Sequence, residues 1–129
     1  MPESEALTRN IRVHVESIFV PERSDPEGGS WFFAYRIRIS NEGSETVQLL
    51  SRHWIITDSS GRREEVRGPG VVGQQPTLQP GESFEYTSFC PLSTAFGTMQ
   101  GTYLMATPDQ QSFDIEIAPF ALSEPFAVN

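Results

Sequence analysis

The chain has 129 residues, 9 basic side chains against 17 acidic ones and a formal net charge of −8. That length supports one domain, burying roughly two thirds of the surface its unfolded chain exposes, and excludes a second core. The acidic balance excludes a general nucleic-acid or anionic-membrane surface, because such partners select basic patches.

The single cysteine, Cys90, rules out an internal disulfide and points to a reducing, cytoplasmic compartment. The opening MPESEALTRN has neither a basic n-region nor an apolar h-region. No apolar run approaches the roughly 20 residues of a membrane helix, so no membrane insertion is expected.

Period-two alternation begins with Ile11, Val13 and Val15 against Arg12, His14 and Glu16, the pattern of a half-buried strand. In WFFAYRIRIS, Trp31, Phe33, Tyr35, Ile37 and Ile39 share one face, which predicts a strand in mid-sheet with its odd face in the core; Phe32 is the one large apolar residue on the other face. NEGSE supplies a turn, and TVQLLSRHWIITD reads as a third strand whose apolar parity shifts between Leu49 and Trp54, predicting a β-bulge near Ser51 or Arg52. DSSG closes a hairpin into RREEV. After a Gly/Pro-rich loop come SFEYTSFC, GTMQGTYLMAT and SFDIEIAPF, the last two joined by PDQQ.

About seven or eight strands with no helical periodicity between them predict an all-β antiparallel sandwich, with an ordered core over about 11–120. In LQPGESFEY a Pro-Gly turn precedes an aromatic strand, as at the corner between the sheets of immunoglobulin-like, fibronectin type III-like domains. Phe84 stands where that corner usually has its tyrosine, so Tyr86 is expected to bond through its hydroxyl to backbone near Leu78.

GPGVVGQQPTLQPGESFEYTSFCPL, SRHWIITDSSG and GTMQGTYLMA, taken together, resemble the bacterial ApaG family over about Ile11 to Phe120. The resemblance implies a fibronectin type III-like sandwich, a link to cobalt resistance and magnesium efflux, and kinship with domains of an F-box protein and a polymerase-delta-interacting protein, where the domain looks like a protein-binding module. It supplies no catalytic residue set.

Gly68, Gly70 and Gly73 have the G-x-G-x-x-G spacing of a dinucleotide-binding loop, but QQPTLQP follows them. Two prolines there leave no helix whose N-terminal N–H groups could hold a pyrophosphate, and there is no βαβ unit. The alternative is a weaker anion site at Arg67, Gly68, Gly70 and Gly73, built from backbone N–H groups with Arg62 and Arg63 close in sequence. Its competing explanation is that the glycines serve positive φ or close packing of the loop.

For a metal, His14 and His53 lie on separate strands without a spaced partner, and a lone histidine is more often hydrogen-bonded structure than ligand. Asp114 and Glu116 share a strand face about 7 Å apart, yet alternating charges normally form a solvated face, with Arg36 or Arg38 as cross-strand partners. Cys90 reads as a buried apolar thiol, since neither a base nor a pKa-lowering setting can be assigned to it. The sequence therefore predicts no catalytic residues, no cofactor and no metal site. It predicts a non-enzymatic interaction module for an unidentified protein partner, with Phe32, Arg52, His53 and Trp54 as contact candidates. Nucleotide-anion or direct divalent-metal binding are the alternatives, and an open sheet edge could pair two subunits.

Overall fold

The computed structural model describes residues 2–125. Among them nine strands form two antiparallel sheets packed face to face. These are β1 (Glu3–Thr8), β2 (Ile11–Phe19), β3 (Trp31–Asn41), β4 (Val47–Asp58), β5 (Arg63–Pro69), β6 (Thr77–Leu78), β7 (Ser83–Leu92), β8 (Phe96–Ala106) and β9 (Ser112–Ser123). The first sheet has the order β1-β2-β3-β7 and the second β5-β4-β8-β9, with β6 pairing the start of β4. This is the immunoglobulin-like, fibronectin type III-like sandwich expected from the alternation. Its strands extend past 11–120 at both ends.

The period-two residues do what their spacing dictates. Ile11, Val13 and Val15 from β2 and Phe33, Tyr35, Ile37 and Ile39 from β3 are buried, and β3 lies between β2 and β7. Two strands are missing from the sequence reading: the two-residue β6 inside the Gly/Pro-rich stretch, and β1, whose inward positions Ser4, Ala6 and Thr8 are too small to give a hydrophobic signal. Hydrogen bonds hold β1 instead. Ser4 Oγ donates to the Ala118 carbonyl at 2.8 Å, and the Glu116 N–H donates to Thr8 Oγ1 at 3.2 Å. With Ser17 Oγ donating to the Ala121 carbonyl at 2.6 Å, these bonds zip β1 and β2 to β9 and close one side of the sandwich. The opposite side, between β7 and β5, stays open.

The parity shift in β4 is real but falls one residue before the predicted place. Leu49 pairs with Met105 and Ser51 with Leu104, leaving Leu50 as the extra residue. After it, even-numbered side chains turn inward. Trp54 is 3% exposed and sits among Tyr35, Tyr103 and Phe120 in edge-on or tilted aromatic pairs with ring centroids 5.4–6.3 Å apart. Such pairs add about 0.5–1.5 kcal/mol each beyond the area they bury.

The corner at Pro80-Gly81 is not tied by Tyr86, which corrects the sequence expectation. Asn41, buried at the end of β3, donates from Nδ2 to the carbonyls of Leu78 (3.0 Å) and Glu45 (2.7 Å) and accepts the Gly43 N–H at 3.0 Å. Its own backbone bonds to Glu82 and Gly81. The Tyr86 hydroxyl instead pairs across the core with that of Tyr103. A tyrosine two residues further along the strand still faces inward, but it lands in the core centre instead of at the corner.

All three tyrosines are buried, and burial raises the pKa of each phenol; it also pushes the Cys90 thiol up to about 12. All 9 basic side chains are arginine, so no lysine titrates in the same range. In the unfolded chain the phenols ionise near pH 10, while the folded chain keeps them protonated. The stabilisation they contribute is therefore intact below the unfolded value and lost as pH rises above it. Urea unfolding between pH 8 and 11 is expected to show stability beginning to fall above about pH 8.5, where the unfolded thiol ionises, and falling more steeply above about pH 10 with the phenols. Tyr103→Phe should cost about 1–3 kcal/mol at neutral pH by orphaning the Tyr86 hydroxyl. Adding Tyr86→Phe should recover part of that loss, and an undiminished loss in the double variant would contradict the pairing.

Candidate functional site: the cleft between the glycine loop and the open edge

The glycine segment contains no helix; it is a loop seated on the bulge of β4. The carbonyl of Leu50 accepts the Gly70 N–H at 2.9 Å and Gln75 Nε2 at 2.8 Å. Val71 and Gln74 then exchange both backbone bonds at 2.8 Å across a two-residue turn whose central residues, Val72 (φ 42) and Gly73 (φ 79), both have positive φ, the signature of type I′. Val71, 1% exposed, plugs the core beneath.

The glycines thus have local tasks. Gly70 has φ 61, and a Cβ there would stand 2.3 Å from the Gln74 carbonyl oxygen. Gly68 belongs to β5, and a Cβ on it would meet the Arg52 guanidinium at 2.9–3.1 Å. Its missing side chain is the space the guanidinium occupies.

Polarity separates this loop from a dinucleotide loop. The N–H groups of Gly70, Val71 and Gln74 all donate to protein carbonyls. The loop turns oxygen toward its main charged neighbour: Arg52 Nη1 donates to the carbonyls of Pro69 and Gly70, both at 2.9 Å. Arg67, the cation assigned to an anion site here, extends from the outer face with its side chain 73% exposed and lies 3.8 Å from Glu65. Arg63 lies 3.8 Å from the same carboxylate, so these arginines gather on Glu65 and not on the loop.

Strand alternation splits SRHW. Trp54 is core. His53 points outward, its Nε2 2.8 Å from Glu65 Oε1, and that hydrogen bond is the main cause holding the Glu65 carboxyl below its ordinary value. Arg52, two residues before Trp54, points inward at the open side. Phe32 lies elsewhere, on the outer face of the first sheet, where its ring stacks on Phe89 with centroids 5.5 Å apart and Arg23 covers it at 4.4 Å. The four contact candidates therefore do not make one surface.

Around Arg52, named in the sequence only as a contact candidate, the structure forms a cleft with Gly73 and the core aromatics that the sequence reading did not anticipate. A cleft of about 370 Å³ opens between β7 and the glycine loop, walled by Tyr35, Trp54, Val71, Tyr86 and Ser88. A shallower hollow of about 480 Å³ lies next to it, with Ser51, His53, Thr102 and Asp114 in its lining. Arg52 borders both. The signal that could have revealed this was parity: if Trp54 faces the core, so does Arg52.

The remaining candidates are surface features or core. His14 lies 3.5 Å from Glu3 and 4.0 Å from Glu16, a neighbour invisible before β1 was placed. Asp114 and Glu116 lie on the second sheet, whereas Arg36 and Arg38 belong to the first, so the expected cross-strand pairing is not made; Arg36 meets Glu85 at 3.4 Å. Cys90 is 3% exposed, and burial, with Glu64 adding to it, holds its thiol protonated at neutral pH.

Replacing Val72 by Asn, which tolerates positive φ better than a β-branched residue, is expected to stabilise by about 1 kcal/mol. Gly70→Ala should destabilise by about 2–4 kcal/mol. Thermal melting checks both, and a lower melting point for Val72→Asn would contradict the turn. Cys90 should resist iodoacetamide at neutral pH in the folded protein and react once urea unfolds it.

The ApaG domain profile matches residues 21–107. The chain is 56% identical over 126 residues to Protein ApaG of Anaeromyxobacter dehalogenans (strain 2CP-C), covering 98% of this chain and 99% of that one. It is 56% identical over 120 residues to Protein ApaG of Bradyrhizobium sp. (strain ORS 278), covering 93% and 92%. The crystal structure of the ApaA protein from Bordetella pertussis, 53% identical, superposes with a TM-score of 0.87 over 90% of this chain and 94% of that one. A further structural-genomics X-ray structure, 40% identical, gives 0.88 over 96% and 94%. Sequence and backbone agree along almost the whole length, and the chain belongs to the ApaG family.

Proposed function

We propose that this protein is a non-enzymatic interaction module that binds a protein partner and acts on divalent-cation tolerance through it. The observation that carries this reading is an apolar patch on the outer face of the first sheet. Ile18, Ala34 and Phe89 stand side by side on β2, β3 and β7, and Ile18 and Phe89 are 51% and 49% exposed. Phe32 and Arg23 extend the patch through the stacked pair described above. Large apolar side chains grouped on a solvent-facing sheet surface mark interaction sites more often than singly scattered ones do. An aromatic pair capped by arginine has the composition of an interface centre.

The location reinforces the reading. β7 is the outermost strand of its sheet, so one row of its backbone groups lacks a neighbouring strand. Across the opening, β5 carries Arg63, Glu64, Glu65 and Arg67, a charged edge of the kind that discourages strand pairing. The two sides of the opening thus differ: one is guarded by charge and the other borders an apolar face.

In a strain deleted for the gene, wild-type protein is expected to restore cobalt tolerance. An Ile18→Glu, Phe89→Glu variant, shown by melting to be folded, should fail to do so and should lose by at least about 10-fold whatever partner the wild type captures, a change of about 1.4 kcal/mol. Full complementation by the folded variant would overturn the assignment of this patch.

A further inference from the structure

We propose that the cleft around Arg52 is a binding site for a carboxylate carried on an apolar or aromatic body. Arginine stays protonated throughout the physiological range. Among the described residues, Arg52 forms no ion pair, although Glu65 has two arginines and a histidine within 4.0 Å. Nη1 makes its two hydrogen bonds, to the carbonyls of Pro69 and Gly70. Among the described residues, Nε and Nη2 donate to no protein group.

Those two nitrogens form one edge of the guanidinium plane. Their parallel N–H groups match the two oxygens of a carboxylate, the bidentate geometry that lysine cannot reproduce. The protein has already fixed the side chain from the other end, through two carbonyls and the flat space over Gly68. A ligand therefore meets a fork that needs little further ordering, which lowers the cost of binding.

The cleft also selects the rest of the ligand. Tyr35, Trp54, Val71 and Tyr86 present ring and methyl carbon among the polar groups of the lining, and about 370 Å³ lies at the small end of ligand pockets. The Tyr86 hydroxyl is already paired with Tyr103, leaving the neighbouring Tyr35 and Ser88 hydroxyls as the neutral polar side-chain groups of the cleft. Phosphate fits less well. One guanidinium with one nitrogen engaged balances a single negative charge, and a dianion would find no second cation in the cleft lining of a protein of net charge −8.

The test is titration of the ¹⁵N-labelled full chain, followed at the Arg52 Nε–H and the amides of Val72, Gly73 and Ser88. The probes are 3-phenylpropionate, 3-phenylpropanamide, inorganic phosphate, and N-acetyl-Gly-Phe as free acid and as amide. The acid 3-phenylpropionate is expected to bind with a dissociation constant of about 1 mM or tighter, and its amide and phosphate at least about 10-fold more weakly. Tighter binding of N-acetyl-Gly-Phe acid than of 3-phenylpropionate assigns the site to the end of a peptide chain; equal or weaker binding assigns it to a free small acid.

Arg52→Lys should weaken 3-phenylpropionate binding at least about 10-fold. Because Arg52 also anchors the loop, a second pair is needed. Val72→Asp places a negative charge at the mouth in a conformation aspartate accepts, and should weaken binding at least about 10-fold relative to the isosteric, uncharged Val72→Asn. Equal affinity for acid and amide, phosphate binding as tight as the acid, or no shift at these groups with about 10 mM 3-phenylpropionate would overturn the proposal. Unchanged binding in both Arg52→Lys and Val72→Asp would overturn it equally.

Discussion

One extra residue in β4 controls the open side of this sandwich. Because side chains on a strand alternate, the unpaired Leu50 reverses the facing of everything after it. Val47 and Leu49 enter the core before the bulge, and Trp54 enters it afterward. Without that reversal Trp54 would point to solvent, and Tyr35, Tyr103 and Phe120 would lose the ring they pack against. The same reversal turns Arg52 toward the space between the sheets. A core aromatic and a cleft arginine are thus two results of a single backbone irregularity.

The bulge also builds the wall opposite Arg52. The Leu50 carbonyl takes the N–H of Gly70, and the loop that follows offers its carbonyls to the guanidinium. In a dinucleotide loop the glycines let backbone N–H groups reach an anion. Here they let backbone oxygen and empty space accommodate a cation. An identical glycine spacing serves opposite polarity, because the strand and helix that would aim the N–H groups at a phosphate are replaced by a bulge and a tight turn.

The two functional readings occupy different surfaces. The outer patch of Ile18, Phe32 and Phe89 covers the solvent face of β2, β3 and β7, while the cleft lies on the inner side of β7 with Tyr86 and Ser88. Strand alternation keeps them apart within a single strand: odd residues of β7 face out and even residues face in. β7 is open to both because β1 and β9 close the sandwich at its far side.

Much of the architecture was legible because its signals are local. Alternation identified β2 and β3 with the right face inward, Asp58 to Gly61 marked the β4–β5 hairpin, and proline after the glycines excluded a helix. Parity alone placed an irregularity within a residue or two of Leu50. Signals that depend on a partner were silent. β1 has small inward residues and is held by bonds to β9, more than 100 residues away in sequence. The corner is tied by Asn41, distant in sequence from the turn it secures. The sequence by itself determined the fold class, the facing of the regular strands and the family, since each follows from periodicity or from contiguous motifs. Only the tertiary structure decided what Arg52 does, because its role depends on which atoms of a bulge, a loop and a second sheet meet in space, and neighbours along the chain do not encode that.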